Sequence, residues 1–163
     1  MVANQEGKWE KMKVLDFLKP SAIKVELTAA TKKGVLEELV ALLAADGAVK
    51  DAAGTVEVLL ERERIGSTGL GQGIAIPHAK TDQVKDVVAA FGLSRRGVQF
   101  NSLDGEPAHI FFLLIAPPEA AAQHLKSLAK VSHLLKNKFF RQSLREAKDV
   151  PEILKIIRDE DQF

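Results

Sequence analysis

Two uninterrupted apolar runs, Val87 to Leu93 and Ala108 to Ala116, constrain this chain more than any other feature. Each is bounded by turn residues and reads as a strand buried on both faces, which places both in the centre of a sheet with helices on either side. Gly97 to Phe100 adds a short edge strand, followed by an Asp104-Gly105-Glu106-Pro107 turn. Upstream, Lys24 to Leu27 alternates like a strand. Thr28 or Thr31 then caps a helix whose apolar residues Val35, Leu36, Leu39, Val40 and Leu43 recur at helical spacing and which stops at Asp46-Gly47. A second helix spans about Ala52 to Arg64, turns Val56, Leu59, Leu60 and Ile65 inward, and ends at Gly66.

Beyond Pro117-Pro118 the spacing predicts a long helix from about Ala120 to Asn137, with Leu125, Leu128, Ser132 and Leu135 forming one stripe. Shorter helices follow at about Phe139 to Ala147 and Pro151 to Asp159. The sum is an α/β chain with helices flanking a sheet of four or five strands, without repeats or an obvious linker.

Composition narrows the function classes. The chain has 163 residues, 46% apolar and 28% charged, with a formal net charge of +1. That size suits one domain, and near-balanced charge makes no bulk case for nucleic acid. Cysteine is absent, which excludes disulfides, thiolate metal ligands and a cysteine nucleophile and makes the cytoplasm the default expectation. Met1 to Pro20 has no continuous apolar core of a signal peptide, and no run is long enough for membrane insertion. Residues 1–11 read as an N-terminal extension, expected to be disordered, before a natural-looking start at Met12, and 12–163 as a single domain.

The chemistry concentrates between Gly66 and Lys80, where a glycine-dense turn runs through a short apolar stretch into His78. A Rossmann fingerprint or P-loop follows a strand and opens a helix; here the glycines follow a helix, and no Lys-Ser or Lys-Thr completes a Walker pattern. There is no Gly-x-Ser-x-Gly elbow, and the four histidines lack zinc-ligand spacing. Neutral imidazole is a competent nucleophile toward phosphorus near pH 7, and a phosphohistidine needs donors for its oxygens. Backbone N–H groups around Gly69, Gly71 and Gly73, the hydroxyls of Ser67 and Thr68, and the guanidinium of Arg62 are candidates for that role. His124, in the first turn or so of the long helix, sits where free N–H groups favour an anion. His109 and His133 read as structural or surface residues. Plain alternatives stand beside each of these: a hydrogen-bonded surface histidine at 78, a helix-surface histidine at 124, a solvated helix face at Arg62, and hydroxyls that merely organise a turn at Ser67 and Thr68.

The segment Arg62-Glu63-Arg64-Ile65-Gly66-Ser67-Thr68-Gly69-Leu70-Gly71-Gln72-Gly73-Ile74-Ala75-Ile76-Pro77-His78 resembles the active-site segment of the phosphotransferase-system enzyme IIA family, fructose/mannitol type. The form Gly66-Ser67-Thr68-Gly69 resembles its nitrogen-regulatory branch, and Gln123-His124-Leu125-Lys126-Ser127-Leu128 looks like the segment carrying the family's second histidine. The resemblance implies a three-layer α/β/α sandwich around a mixed sheet of about five strands. It also implies a protein-histidine phosphotransferase, a carrier without a cofactor, in which His78 accepts a phosphoryl group from an HPr-like protein at the ring nitrogen farther from the backbone, with His124 and Arg62 supporting it. Ala79 stands where the family usually has Gly, at a cost of order 1 kcal/mol if that position needs positive φ. With no phosphorylatable cysteine and no membrane domain here, a regulatory role is favoured. Passing phosphate to a separate IIB protein of a sugar transporter is the alternative. A non-covalent anion- or nucleotide-binding module and a phosphoester hydrolase using His78 and His124 are the readings of other classes.

Overall fold

The computed structural model describes residues 12–162; the expectation for residues 1–11 lies outside them. Strands β1 (Leu18–Lys24), β2 (Gly69–Gly71), β3 (Ile74–Ala75), β4 (His78–Lys80), β5 (Val88–Val98) and β6 (Ala108–Ala116) form one sheet. Its order is β1-β5-β6-β3-β2, with β4 also on β6. Six strands thus occupy five positions, because β3 and β4 lie in succession along the same side of β6, interrupted at Ile76-Pro77. The sheet is mixed: β1 runs parallel to β5, β3 and β4 run parallel to β6, and β5/β6 and β2/β3 are antiparallel.

Helices α1 (Lys32–Ala45) and α2 (Ala52–Ile65) pack on each other, α1 against β1 and β5 and α2 against β4. Helices α3 (Ala121–Leu134) and α4 (Lys138–Glu146) pack on β6, and α5 (Val150–Glu160) on β1 and α4. Successive side chains of a strand point to opposite faces, so the burial of every β6 residue from Ile110 to Ala116 shows that both faces are covered. Phe91 and Phe112 meet edge to face across the β5/β6 pair, 5.1 Å apart.

The two central strands lie where the apolar runs put them, and of the two expected caps Thr31 accepts from Gly34 N at α1; Asp51, not singled out in the sequence, accepts from Gly54 N at α2. Four expectations need correction. The first strand is Leu18–Lys24, not Lys24 to Leu27; its register is set by buried Leu18, Ala22 and Ile23, and Pro20 is tolerated because β1 is an edge strand. No separate strand forms at 97–100, since Val98 ends an 11-residue β5 and pairs with Ala108. Ile65 is 84% exposed rather than inward. The buried stripe of α3 is His124, Ser127, Val131 and Leu135, so Leu125 turns out to solvent.

Candidate active site

The glycine-dense segment is a hairpin. Gln72 and Gly73, with φ of 57° and 80°, turn the chain between β2 and β3 as a two-residue hairpin loop of positive φ requires. At Gly69 an added Cβ would lie 2.5 Å from Ser102 Oγ and 3.0 Å from Ser102 Cα, so the strand must be bare there. The hydroxyl of Ser67 donates to the Phe100 carbonyl at 2.6 Å and accepts from Gly69 N, while that of Thr68 donates to the buried Glu63 carboxylate. Ser67, Thr68, Gly69, Gly71 and Gly73 are accordingly not among the residues that line the groove holding His78. They build the turn that delivers the chain to it, with Thr68 O accepting from Ile76 N at 3.0 Å.

That groove, about 910 Å³, runs between the C-terminal end of α2, the strand β4 and the N-terminal end of α3. It does bring together His78, His124 and Arg62. β4 pairs only with β6, which leaves its other edge open beside α2. Pro77 has no N–H to offer that edge; its carbonyl accepts from Leu114 N. Ala79 is extended in β4, paired with Ile115, and is not among the positive-φ residues, so alanine carries no strain in place of the family's usual glycine.

The tautomer of His78 follows from its partner. Nδ1 lies 2.7 Å from the Ile76 carbonyl, which can only accept, so Nδ1 carries the proton and Nε2 keeps a lone pair. Burial lowers the pKa of His78, and the charge of Arg62 lowers it further against the opposing pull of the Ile76 carbonyl and Glu63. The ring is therefore neutral and nucleophilic at pH 7.

His124 faces it edge-on, with ring centroids 5.9 Å apart and planes at 76°. It is 3% exposed, and its Nε2 has no hydrogen-bond partner among the described residues. An orphaned buried nitrogen costs about 1–3 kcal/mol, a cost that an incoming oxyanion would relieve. Above it, α3 begins without a side-chain cap at Ala120, and Ala121 and Ala122 line the groove, so the positive end of the helix dipole faces the same space. Arg62 spends one guanidinium N–H on the Gly66 carbonyl at 2.9 Å, leaving others free to point at an anion.

One participant was missed in the sequence. Lys80 lines the groove, on the same face of β4 as His78 by the two-residue period of a strand, and that period alone could have singled it out. Around these polar groups the rim is apolar: Ile65 and Leu125, 84% and 70% exposed, stand with Val58 and Leu128.

The pKa of His124 is lowered to about 4, first by burial, then by the charges of His78 and Lys80. In the unfolded chain the same ring titrates near 6.5, so between that value and 4 the unfolded state binds a proton that the native state refuses. Stability therefore falls as pH falls through this window, by on the order of 3 kcal/mol for this group, and flattens below it. Urea midpoints measured from pH 7 to pH 4 should show this loss in the native chain and a correspondingly smaller one in His124→Leu.

A neutral imidazole with a bare nitrogen, backed by cationic side chains and the start of a helix and ringed by apolar surface, suits a protein that takes up a phosphoryl group and passes it to another protein. Residues 16–160 match the family model described as "Phosphoenolpyruvate-dependent sugar phosphotransferase system, EIIA 2", and the chain belongs to that family. It is a phosphoryl carrier, a histidine phosphotransferase of this system.

It is 37% identical over 146 residues to a nitrogen regulatory protein of Bradyrhizobium diazoefficiens, covering 90% of this chain and 95% of that one. It is 40% identical over 150 residues to the fructose-specific EIIABC component of Bacillus subtilis, covering 92% of this chain but 24% of that protein's length. Among solved structures, nitrogen regulatory protein IIA-Ntr from Neisseria meningitidis superposes with a TM-score of 0.81 at 35% identity, covering 87% of this chain and 97% of that one. Among the described residues no helix is long and apolar enough to cross a membrane, and no cluster of three potential metal ligands occurs.

Proposed function

We propose that His78 is the phosphoryl acceptor, that the donor is the phosphohistidine of an HPr-like carrier, and that the chain serves a regulatory, nitrogen-type role in the cytoplasm. The observation that carries this reading is the Nδ1–H bond to Ile76, which leaves Nε2 bare in the groove. The Nε2 lone pair attacks phosphorus, the donor's P–N bond breaks, and its electron pair returns to the donor's ring nitrogen. Positive charge grows on the His78 ring as the new N–P bond forms, and the Ile76 carbonyl meets it at Nδ1–H. Little covalent help is needed from the protein; positioning and charge do the work. Arg62, His124 and the first amides of α3 take the three oxygens, and the roughly two added negative charges change what the apolar rim will bind.

The 40% identity to the A-type part of a fructose transporter favours a second reading, transfer onward to a separate IIB protein. Incubation of the full chain with phosphoenolpyruvate, enzyme I and an HPr-like carrier should yield an acid-labile phosphorus NMR signal of an Nε2-phosphohistidine. Absence of a covalent signal, with reversible anion binding instead, would reduce the site to a non-covalent module. Subsequent loss of the label to added IIB would select the transport role.

A further inference from the structure

A second polar pocket lies at the other end of β6. It is about 200 Å³ and is lined by Leu93, Ser94, Arg95, His109 and Arg145, with no acidic side chain among them. His109 precedes by five residues Leu114, the partner of His78, which puts the two sites about 16 Å apart along the strand. The geometry points to a binding site here for one small tetrahedral oxyanion of the phosphate class, separate from the His78 groove and independent of the reading of that groove.

Three features argue that the pocket is built rather than incidental. The His109 ring is fixed by Nδ1 donating to the Ser94 carbonyl at 2.9 Å. It fills space that only glycine leaves open: a Cβ on Gly97, at φ +84°, would fall 2.8 Å from His109 Cε1. Ser94 is 2% exposed and its Oγ accepts from Gly97 N at 3.2 Å, yet its hydroxyl proton has no acceptor among the described residues. A buried donor without an acceptor, in a wall to which two arginines also contribute, calls for an anion.

The cations are available. Arg145 makes no ion pair or hydrogen bond among the described residues, although Glu146 lines the neighbouring depression with it; that carboxylate accepts from Gln142 at 3.2 Å. Arg95 meets Glu26 at 3.4 Å with both side chains more than half exposed, a contact that yields readily to a better partner. Arg141 and Lys138 add positive charge from the depression on the far side of Arg145. The volume is smaller than that of sites for drug-sized organic ligands and suits a single compact ion or the phosphate head of a small monoester. Arginine supplies the paired N–H geometry that tetrahedral oxyanions favour.

Titration of the full chain, uniformly labelled with ¹⁵N, with inorganic phosphate and in parallel with glycerol phosphate against sodium chloride of equal ionic strength tests this. Saturable shifts at the amides of Gly97 and His109 and at the Nε resonances of Arg95 and Arg145 are expected, and about tenfold weaker binding in Arg145→Ala. Saturation by both probes identifies a free-ion site, and saturation by the monoester alone a site for its head group; either supports the proposal. Shifts that stay linear for both, or that saturate in Arg145→Ala and in Arg145→Gln as they do in the native chain, overturn it. Phosphoryl acceptance at His78 stays at the native level in Arg145→Ala; its loss would make Arg145 part of the first site and overturn the proposal as well.

Discussion

His78→Ala is expected to leave the chain unable to take a phosphoryl label, while His124→Ala should still take it but about a hundredfold more slowly. The two outcomes differ because the two nitrogens do different things. In the proposed transfer His78 Nε2 forms the bond, and nothing else in the groove replaces it: among the groove-lining residues His124 is the other imidazole, and it is buried at 3% exposure with an edge-on approach to His78. The role proposed for His124 is to stabilise charge on the transferring group, and removing one such donor from a preorganised site typically costs about 10²–10³ in rate. The pH profile separates the roles further. Acceptance requires neutral His78, whose pKa lies below the ordinary 6.5 mainly through burial, so the initial rate holds from pH 8 to near 6.5 and declines only below it. Rapid-quench labelling with a phosphorylated carrier reads both quantities. A native rate in His124→Ala would remove that residue from the site.

Much of this site was legible in the sequence because its residues are chemically conspicuous: a histidine after proline, a second histidine at the start of a helix, an arginine one turn before a helix end. What the sequence could not show was the employment of the glycines and hydroxyls. Ser67 and Thr68 look like phosphate donors until the carbonyl of Phe100 and the carboxylate of Glu63 are found to hold them, and those partners lie on other elements. The sheet's centre was legible from two apolar runs, since a strand buried on both faces needs no alternation to be recognised. Its edge was not: β1 contains Pro20 and a run of exposed residues, so the buried Leu18, Ala22 and Ile23 that set its register do not alternate and stand out only once it is paired with β5. Ile65 and Leu125 misled for a related reason. Helical periodicity assigns apolar residues to the interior, and these two stand exposed at the rim of the groove.

Replacing Glu63 by alanine should cost about 3–5 kcal/mol of folding stability, a large share of the 5–15 kcal/mol typical of a domain this size. The Glu63 side chain is 4% exposed and ion-pairs with Lys32 Nζ at 3.0 Å, whose own side chain is 18% exposed. It also accepts from Thr68 N at 3.2 Å and from the Thr68 hydroxyl. Lys32 in turn lies 4.6 Å from the centre of the Phe100 ring, so this one carboxylate ties α1, α2, the turn before β2 and the loop after β5 together. Its removal strands an ammonium and a buried N–H at once, and breaking a pair from one side costs more than never having built it. Glu63→Gln keeps the volume and an acceptor for Thr68 but loses the charge pair, and should cost about half as much. Urea denaturation with an unchanged m-value measures both, and a loss below about 1 kcal/mol in the alanine variant would show the carboxylate to be dispensable. The effect also reaches the chemistry. Thr68 holds Ile76, whose carbonyl holds the His78 proton, and the Glu63 charge raises the His78 pKa. In Glu63→Gln the ring should therefore titrate at a still lower pH by NMR, so that the residue fastening the turn is also seen to set the charge state of the nucleophile.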